Sequence, residues 1–163
     1  MFHILLFTPQ IPPNTGNIIR LCANTGTWLH LIRPLGFTLD EKSCRRAGLD
    51  YHDLARVQQH DSLDDCLLAL DRPRVFAITK FASTRYDEVS FAAGDALLFG
   101  AETTGLPADI HARFDEDHRI GLPMTGGNRS LNLSNAVSIV TYEAWRQCGF
   151  ANMAAPPAGT AFS

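Results

Sequence analysis

Three stretches of this 163-residue chain concentrate the side chains from which a site could be built. The first, FGAETTGLP at 99–107, follows an apolar run and sets Glu102 between Gly100 and Gly105. Glycines there let the backbone turn with positive φ and come close to a ligand. The second, LPMTGGNRSLNLSNA at 122–136, gathers Thr125, Asn128, Arg129, Ser130, Asn132, Ser134 and Asn135 ahead of a helical pattern. That is a dense set of donors and acceptors at a helix N-terminus. The third, PPNTGNIIRLCANTG at 12–26, spaces Asn14, Asn17 and Arg20 at i, i+3, i+6, one polar helix face opposite Ile18, Ile19 and Leu21. Each stretch also has a plain reading: turn geometry for the glycines, helix capping for Ser and Asn, a solvated face for the third. Two of them fall at successive strand ends, where parallel sheets bind ligands, and together they fit a nucleotide-like pocket.

Spacing removes several other chemistries. Gly100 to Gly105 has the span of a P-loop but continues with Leu106-Pro107 where Lys-Ser/Thr is required. The chain contains no G-x-G-x-x-G, no H-E-x-x-H, no paired H-x-E and C-x-x-C, and no G-x-S-x-G. Cys22, Cys44, Cys66 and Cys148 form no C-x-x-C pair and read as small buried hydrophobes of a reducing compartment. The six histidines are scattered and read as surface or satisfied core residues rather than metal ligands, with His52 singled out because Asp50 and Asp53 flank it.

The elements that must position these stretches follow from periodicity. Strands are predicted at Phe2–Phe7, Trp28–Ile32, Ala55–Gln58, Arg74–Thr79, Ala96–Phe99 and Arg119–Leu122. Helices are predicted from an Asn14 or Thr15 cap to Thr25, from Asp40 to Arg46 with a stop at Gly48, and from Ser62 to Leu70. Two more are predicted, from Pro107 to Phe114, and from an Asn132 or Ser134 cap to Cys148. The alternation makes an α/β domain over residues 1–150, a mostly parallel sheet flanked by helices, followed by a non-periodic tail at 151–163 expected to be disordered. The last helix is apolar over much of its circumference, which calls for deep packing or a subunit interface. A composition 45% hydrophobic and 19% charged is that of a globular domain, and the net charge of −3 gives no overall basic footprint for nucleic acid. A local patch built from Arg33, Lys42, Arg45 and Arg46 remains compatible with phosphate contacts. The start, MFHILLFTPQ, lacks a basic segment and a long apolar run, so a cytoplasmic location without a membrane span is expected.

In order and spacing, residues 11–26 (IPPNTGNIIRLCANTG), 47–52 (AGLDYH), 98–107 (LFGAETTGLP) and 122–146 (LPM…SLNLSNAVSIVTYEAWR) resemble the motifs of the SPOUT superfamily of RNA methyltransferases. Within it the likeness is to the small enzymes that methylate the ribose 2′-hydroxyl of the tRNA wobble cytidine or uridine. The resemblance implies a C-terminal deep trefoil knot. It implies that S-adenosyl-methionine is bound at Ile78, Gly100, Leu122, Ser130 and Leu131. It further implies catalytic roles for Arg20, Glu102, Ser130 and Asn132, substrate binding by Asn14, Asn17 and Arg20, and no metal. The implied partners are a tRNA anticodon stem-loop and a second copy of the chain, a homodimer in which Arg20 of one subunit approaches the donor held by the other. A guanidinium stays protonated, so Arg20 is expected to orient and polarise the hydroxyl rather than act as a base. Glu102 is expected to hold Arg20 or the cofactor loop, and Ser130 and Asn132 to position ribose or the methionine end. Two positions depart from the pattern: Thr104 stands where relatives often carry Arg, and Ala101 where Pro is common. The alternatives are a catalytically idle RNA-binding or assembly factor of the same fold, and an enzyme acting on another RNA position.

Overall fold

The structure, a computed structural model, describes residues 1–39, 48, 50–126 and 130–154. In chain order its elements are β1 (His3–Phe7), α1 (Pro12–Thr25), β2 (Trp28–Ile32), α2 (Tyr51–Leu54), β3 (Val57–His60), α3 (Leu63–Ala69) and β4 (Val75–Ile78). They continue with β5 (Thr84–Arg85), β6 (Ala96–Phe99), α4 (Ala108–His111), a 3₁₀ turn at Glu116–His118, β7 (Arg119–Gly121) and α5 (Leu133–Gln147). The strands form one sheet in the order β3-β2-β1-β6-β4-β7-β5. Every pairing in it is parallel.

Parallel sheets are covered on both faces, which is why the central strands read as unbroken apolar runs. Ile4, Leu5 and Leu6 of β1 and Leu97 and Leu98 of β6 are all fully buried. One face packs against α1 and α5 through Ile18, Ile19, Cys22, Val137 and Val140. The other packs against α3 and α4 through Leu5, Ile32, Cys66, Leu98 and Ile110. Cys22, Cys66 and Cys148 carry free thiols, the first two buried; Cys44 lies outside the described residues. Among the described residues no helix is long and apolar enough to cross a membrane.

Several expectations need correction at the element ends. Helix α1 starts at Pro12, not after Asn14 or Thr15; Ile11 occupies the cap position without a side-chain bond, and prolines fill the first helical positions, where no N–H is missed. Strand β3 starts at Val57, because the residues before it form α2, closed by a reciprocal capping box between Asp50 and Asp53. Helix α4 spans only Ala108–His111. Ser62 does cap α3, Asn132 caps α5, and Gly26 ends α1 in the left-handed region at φ 70°. The helix expected over Asp40–Arg46 and the tail from 155 onward lie outside the described residues, while Gly48 is described with φ +69°.

Candidate active site

The loops that leave β4, β6 and β7 at their carboxyl ends, with the start of α5, enclose a cavity of about 150 Å³. Its walls are Ile78 and Thr79 at the end of β4, residues 99–106 at the end of β6 and in its loop, Leu122 and Met124 after β7, and Ser130, Leu131, Leu133 and Ala136. The β6 loop doubles back on itself: Ala101 and Gly105 form a bridge, and Gly105 N donates to the Ala101 carbonyl at 2.8 Å. Only glycine fits at position 100, where a Cβ would lie 2.1 Å from the Gly105 carbonyl carbon and 2.2 Å from Leu106 N. Gly105 turns the loop at φ +70°.

Glu102 projects from this loop and spends both carboxylate oxygens on the start of α1. Gln10 N donates to Oε2 at 2.8 Å, and Ile11 N and Asn14 Nδ2 donate to Oε1 at 3.0 and 3.2 Å. The cap that Ile11 cannot supply thus comes from a distant loop, and the negative charge sits where the helix dipole is positive. Asn14 is buried, and its Oδ1 accepts from Asn132 Nδ2 at 2.9 Å. Asn132 Oδ1 in turn accepts from Ser134 N at 2.9 Å and Ser134 Oγ at 2.7 Å, closing the N-terminus of α5. The three polar stretches of the sequence are therefore one hydrogen-bonded structure.

Of the residues singled out from the sequence, Ile78, Gly100, Glu102, Leu122, Ser130 and Leu131 line the cavity. Asn14 and Asn132 brace its wall through Glu102. Asn17 and Arg20 are exposed on α1 and are not among the cavity-lining residues. Arg20 lies about 9 Å along the helix axis from Asn14, at 1.5 Å per residue. There its Nη2 donates to the Gly48 carbonyl at 2.8 Å. A Cβ on Gly48 would meet only that movable nitrogen, at 2.8 Å; what favours glycine there is the left-handed backbone at φ +69°. Asp50 and Asp53, which drew attention to His52, are committed to each other's backbone N–H groups at 3.0 Å. Arg129, Asn128 and the basic residues Lys42, Arg45 and Arg46 lie outside the described residues. Sequence reasoning missed Lys80 and Phe81 at the cavity, Phe81 being 75% exposed. Their signal was an aromatic directly after a strand end, in a polar stretch. Thr104, the departure from the motif, is exposed on the cavity wall.

Residues 1–142 match the family model of the SpoU rRNA methylase family. The chain is 55% identical over 151 residues to the tRNA (cytidine(34)-2′-O)-methyltransferase of Methylovorus glucosotrophus, covering 93% of this chain and 98% of the relative. It is 52% identical over 150 residues to the enzyme of that name from Escherichia coli K12, covering 92% and 96%. A solved structure concerned with 2-OH methylation of C/U34 on tRNA superposes with a TM-score of 0.83 at 46% identity, over 91% of this chain and 97% of that one. The SpoU methyltransferase AviRb from Streptomyces viridochromogenes, in complex with AdoMet, superposes with a TM-score of 0.77 at 25% identity, over 90% and 60%. On the motifs, the parallel sheet with its cavity at the strand ends, and these likenesses, the chain belongs to the SpoU rRNA methylase family.

Proposed function

We propose that this protein transfers a methyl group from S-adenosyl-methionine to the ribose 2′-hydroxyl of the wobble nucleotide, cytidine or uridine, in the tRNA anticodon. The observation that carries this reading is a cavity walled by the motif loops in a chain more than half identical, along nearly its whole length, to enzymes named for cytidine 34. The residues present fit the methyl donor. Ile78, Phe99, Leu122 and Leu131 offer apolar walls to a purine, and the backbone at Gly100 and Gly105 and the Ser130 hydroxyl offer polar partners. When bound, the donor supplies an electrophilic methyl on a sulfonium.

The chain's own residues must then place a weak nucleophile in line, and positioning supplies much of the rate. Glu102, Asn14 and Asn132 keep the donor loop and α5 registered against α1. Arg20 orients and polarises the ribose hydroxyl, its fork shared with a substrate phosphate. Because Arg20 does not line the cavity of its own protomer, it serves the cavity of a second copy, and the working unit is a homodimer with a composite site. Supporting this, α5 exposes Ile139 and Tyr142 along a stripe with Asn135 and Arg146, and Leu131 just before α5 and Ile11 at the start of α1 are also exposed. Asn17, on the same exposed face of α1, contacts RNA. The reading includes the trefoil knot, supported by Ser130 and Leu131 sharing the cavity with the β6 loop while α5 packs on the α1 face. It also includes a cytoplasmic location, where tRNA is modified, consistent with the free thiols.

Incubation of the purified protein with labelled donor and bulk tRNA, followed by mapping of the methylated nucleotide, tests the proposal. Label in the ribose of nucleotide 34 is expected. Label elsewhere assigns another RNA position, and donor binding without transfer assigns an idle factor.

A further inference from the structure

We propose that His30, His60 and Cys66 form a zinc(II) site on the α3 face of the sheet, away from the methyl-transfer cavity. Register places it: His30 of β2 pairs with Leu5 of β1, and His60 of β3 pairs with Ile32. Residues two apart in a strand share a face, so both imidazoles point to the side covered by α3, which brings Cys66 down onto them. One donor atom from each of the three lies within 4.8 Å of the other two. His30 Nδ1 and His60 Nε2 are 3.0 Å apart. Two nitrogens bound to a tetrahedral zinc at ordinary bond lengths are about 3.3 Å apart, so the ion replaces a shared proton with little opening.

The surroundings suit the ion. The second nitrogen of His30, Nε2, lies 3.1 Å from His3 Nδ1, the outer contact that fixes tautomer and ring orientation in metal sites. The carboxylates of Asp61 and Asp65 lie close enough to His60 to favour positive charge, although burial outweighs them and keeps its pKa below the ordinary value. Burial, with the neighbouring histidines, pushes His30 down to about 3, so its lone pair is free at neutral pH. Burial also pushes the Cys66 thiol up to about 12, so an ion must displace that proton. The step balances for either tautomer: the ring that holds the proton shared by His30 and His60 carries it instead on its other nitrogen, His30 Nε2 or His60 Nδ1, the thiol proton leaves to solvent, and water takes the fourth position. One proton is released per zinc. Two imidazoles and a thiolate suit zinc rather than the hard cations, and the site would clip the edge strand β3 and α3 to β2.

Titrating the metal-free full chain with cobalt(II), then displacing it with zinc(II), provides the test. One equivalent is expected to bind, with a thiolate-to-cobalt charge-transfer band that disappears in Cys66→Ser and in His60→Gln and persists in Cys148→Ser. Calorimetry in buffers of different ionisation enthalpy is expected to show one proton released per zinc, and zinc is expected to raise Tm by about 5 °C or more. Should Cys66→Ser fail to fold, His60→Gln decides, since His60 is half-exposed on the edge strand. Absence of zinc uptake, or a band that survives both substitutions, overturns the site and leaves a histidine ladder that is simply hydrogen-bonded. Methyl transfer to tRNA is expected to be unchanged in His60→Gln, so failure here and failure of the proposed activity are separable.

Discussion

The start and the middle of α1 are secured in different ways. Its start is welded to the cavity: Glu102 caps it, and Asn14 passes the network on to Asn132 and the first turn of α5. Six residues further on, Arg20 reaches the carbonyl of Gly48 and stays exposed, away from the residues that line the cavity. The start is hydrogen-bonded entirely within one protomer. The middle presents an exposed cation which, on the proposed function, meets a substrate phosphate beside the cavity of a second copy. Stability and turnover should therefore separate along a single helix.

The sharpest way to break this contrast is Arg20→Ala. Loss of one preorganised donor to the reacting oxygen costs about 100-fold or more in kcat/KM, roughly 2.7 kcal/mol, while Tm should move by no more than about 1 °C. Arg20→Lys keeps the charge but loses the planar fork, and near-normal turnover in that variant would remove the orienting role. Gly100→Ala attacks the loop that carries Glu102 to the start of the helix. Its Cβ would collide with the backbone of Gly105 and Leu106, so the loop must open, at a cost of about 1–3 kcal/mol in stability. Calorimetry should find donor affinity lost at the same time. Unchanged affinity would mean that the doubled-back loop does not shape the cavity.

A smaller effect is expected from Glu102→Ala, which leaves the Gln10 and Ile11 N–H groups and the Asn14 amide without their acceptor. Lost caps cost about 0.5–2 kcal/mol, a fall of about 2–6 °C in Tm for a chain of this size. A double-mutant cycle sharpens the comparison. Glu102→Ala and Asn14→Ala should be coupled, whereas Glu102→Ala and Arg20→Ala should add within about 0.5 kcal/mol in stability. Additivity in the first pair would dissolve the network into independent contacts.

What could be read from the sequence was local. RVFAIT and ALLF announce buried strands, Gly100 and Gly105 announce a tight turn, and Asn132 announces a cap, because each is settled by its near neighbours. The start of α1 was misplaced for a physical reason. Asn14 has the chemistry of a cap, but the cap comes from Glu102, and no local pattern records a partner 88 residues away. Helix α2 carries a legible signal in Asp50-x-x-Asp53, overlooked because those acids invited a functional reading beside His52. The two-residue β5 is too short to show a period. The ladder of His3, His30 and His60 depends on the register of three parallel strands, which crossover connections set and spacing along the chain does not reveal.

That ladder gives the mildest probe of the contrast, because it lies on the face of the sheet opposite α1. Burial, then the charges of His3 and His60, hold His30 at about 3, against an ordinary value of 6.5. With a folded value below the unfolded one, the neutral ring is favoured in the native state. Its stability contribution is complete above about pH 6.5 and is lost as pH falls from there toward 3, as the unfolded chain takes up a proton that the native state refuses. Between pH 7 and pH 6 the loss from His30 is about 0.7 kcal/mol. His3 and His60, also shifted down, add in the same direction. Urea unfolding of the metal-free chain at the two pH values should show this loss equally in the parent chain and in Glu102→Ala. The His30 ring resonance should stay flat in an NMR titration down to about pH 4.5. A His30 that titrates near 6.5 would mean that the opposite face is open to water, and that the cavity side is not the only part of the sheet with freedom to move.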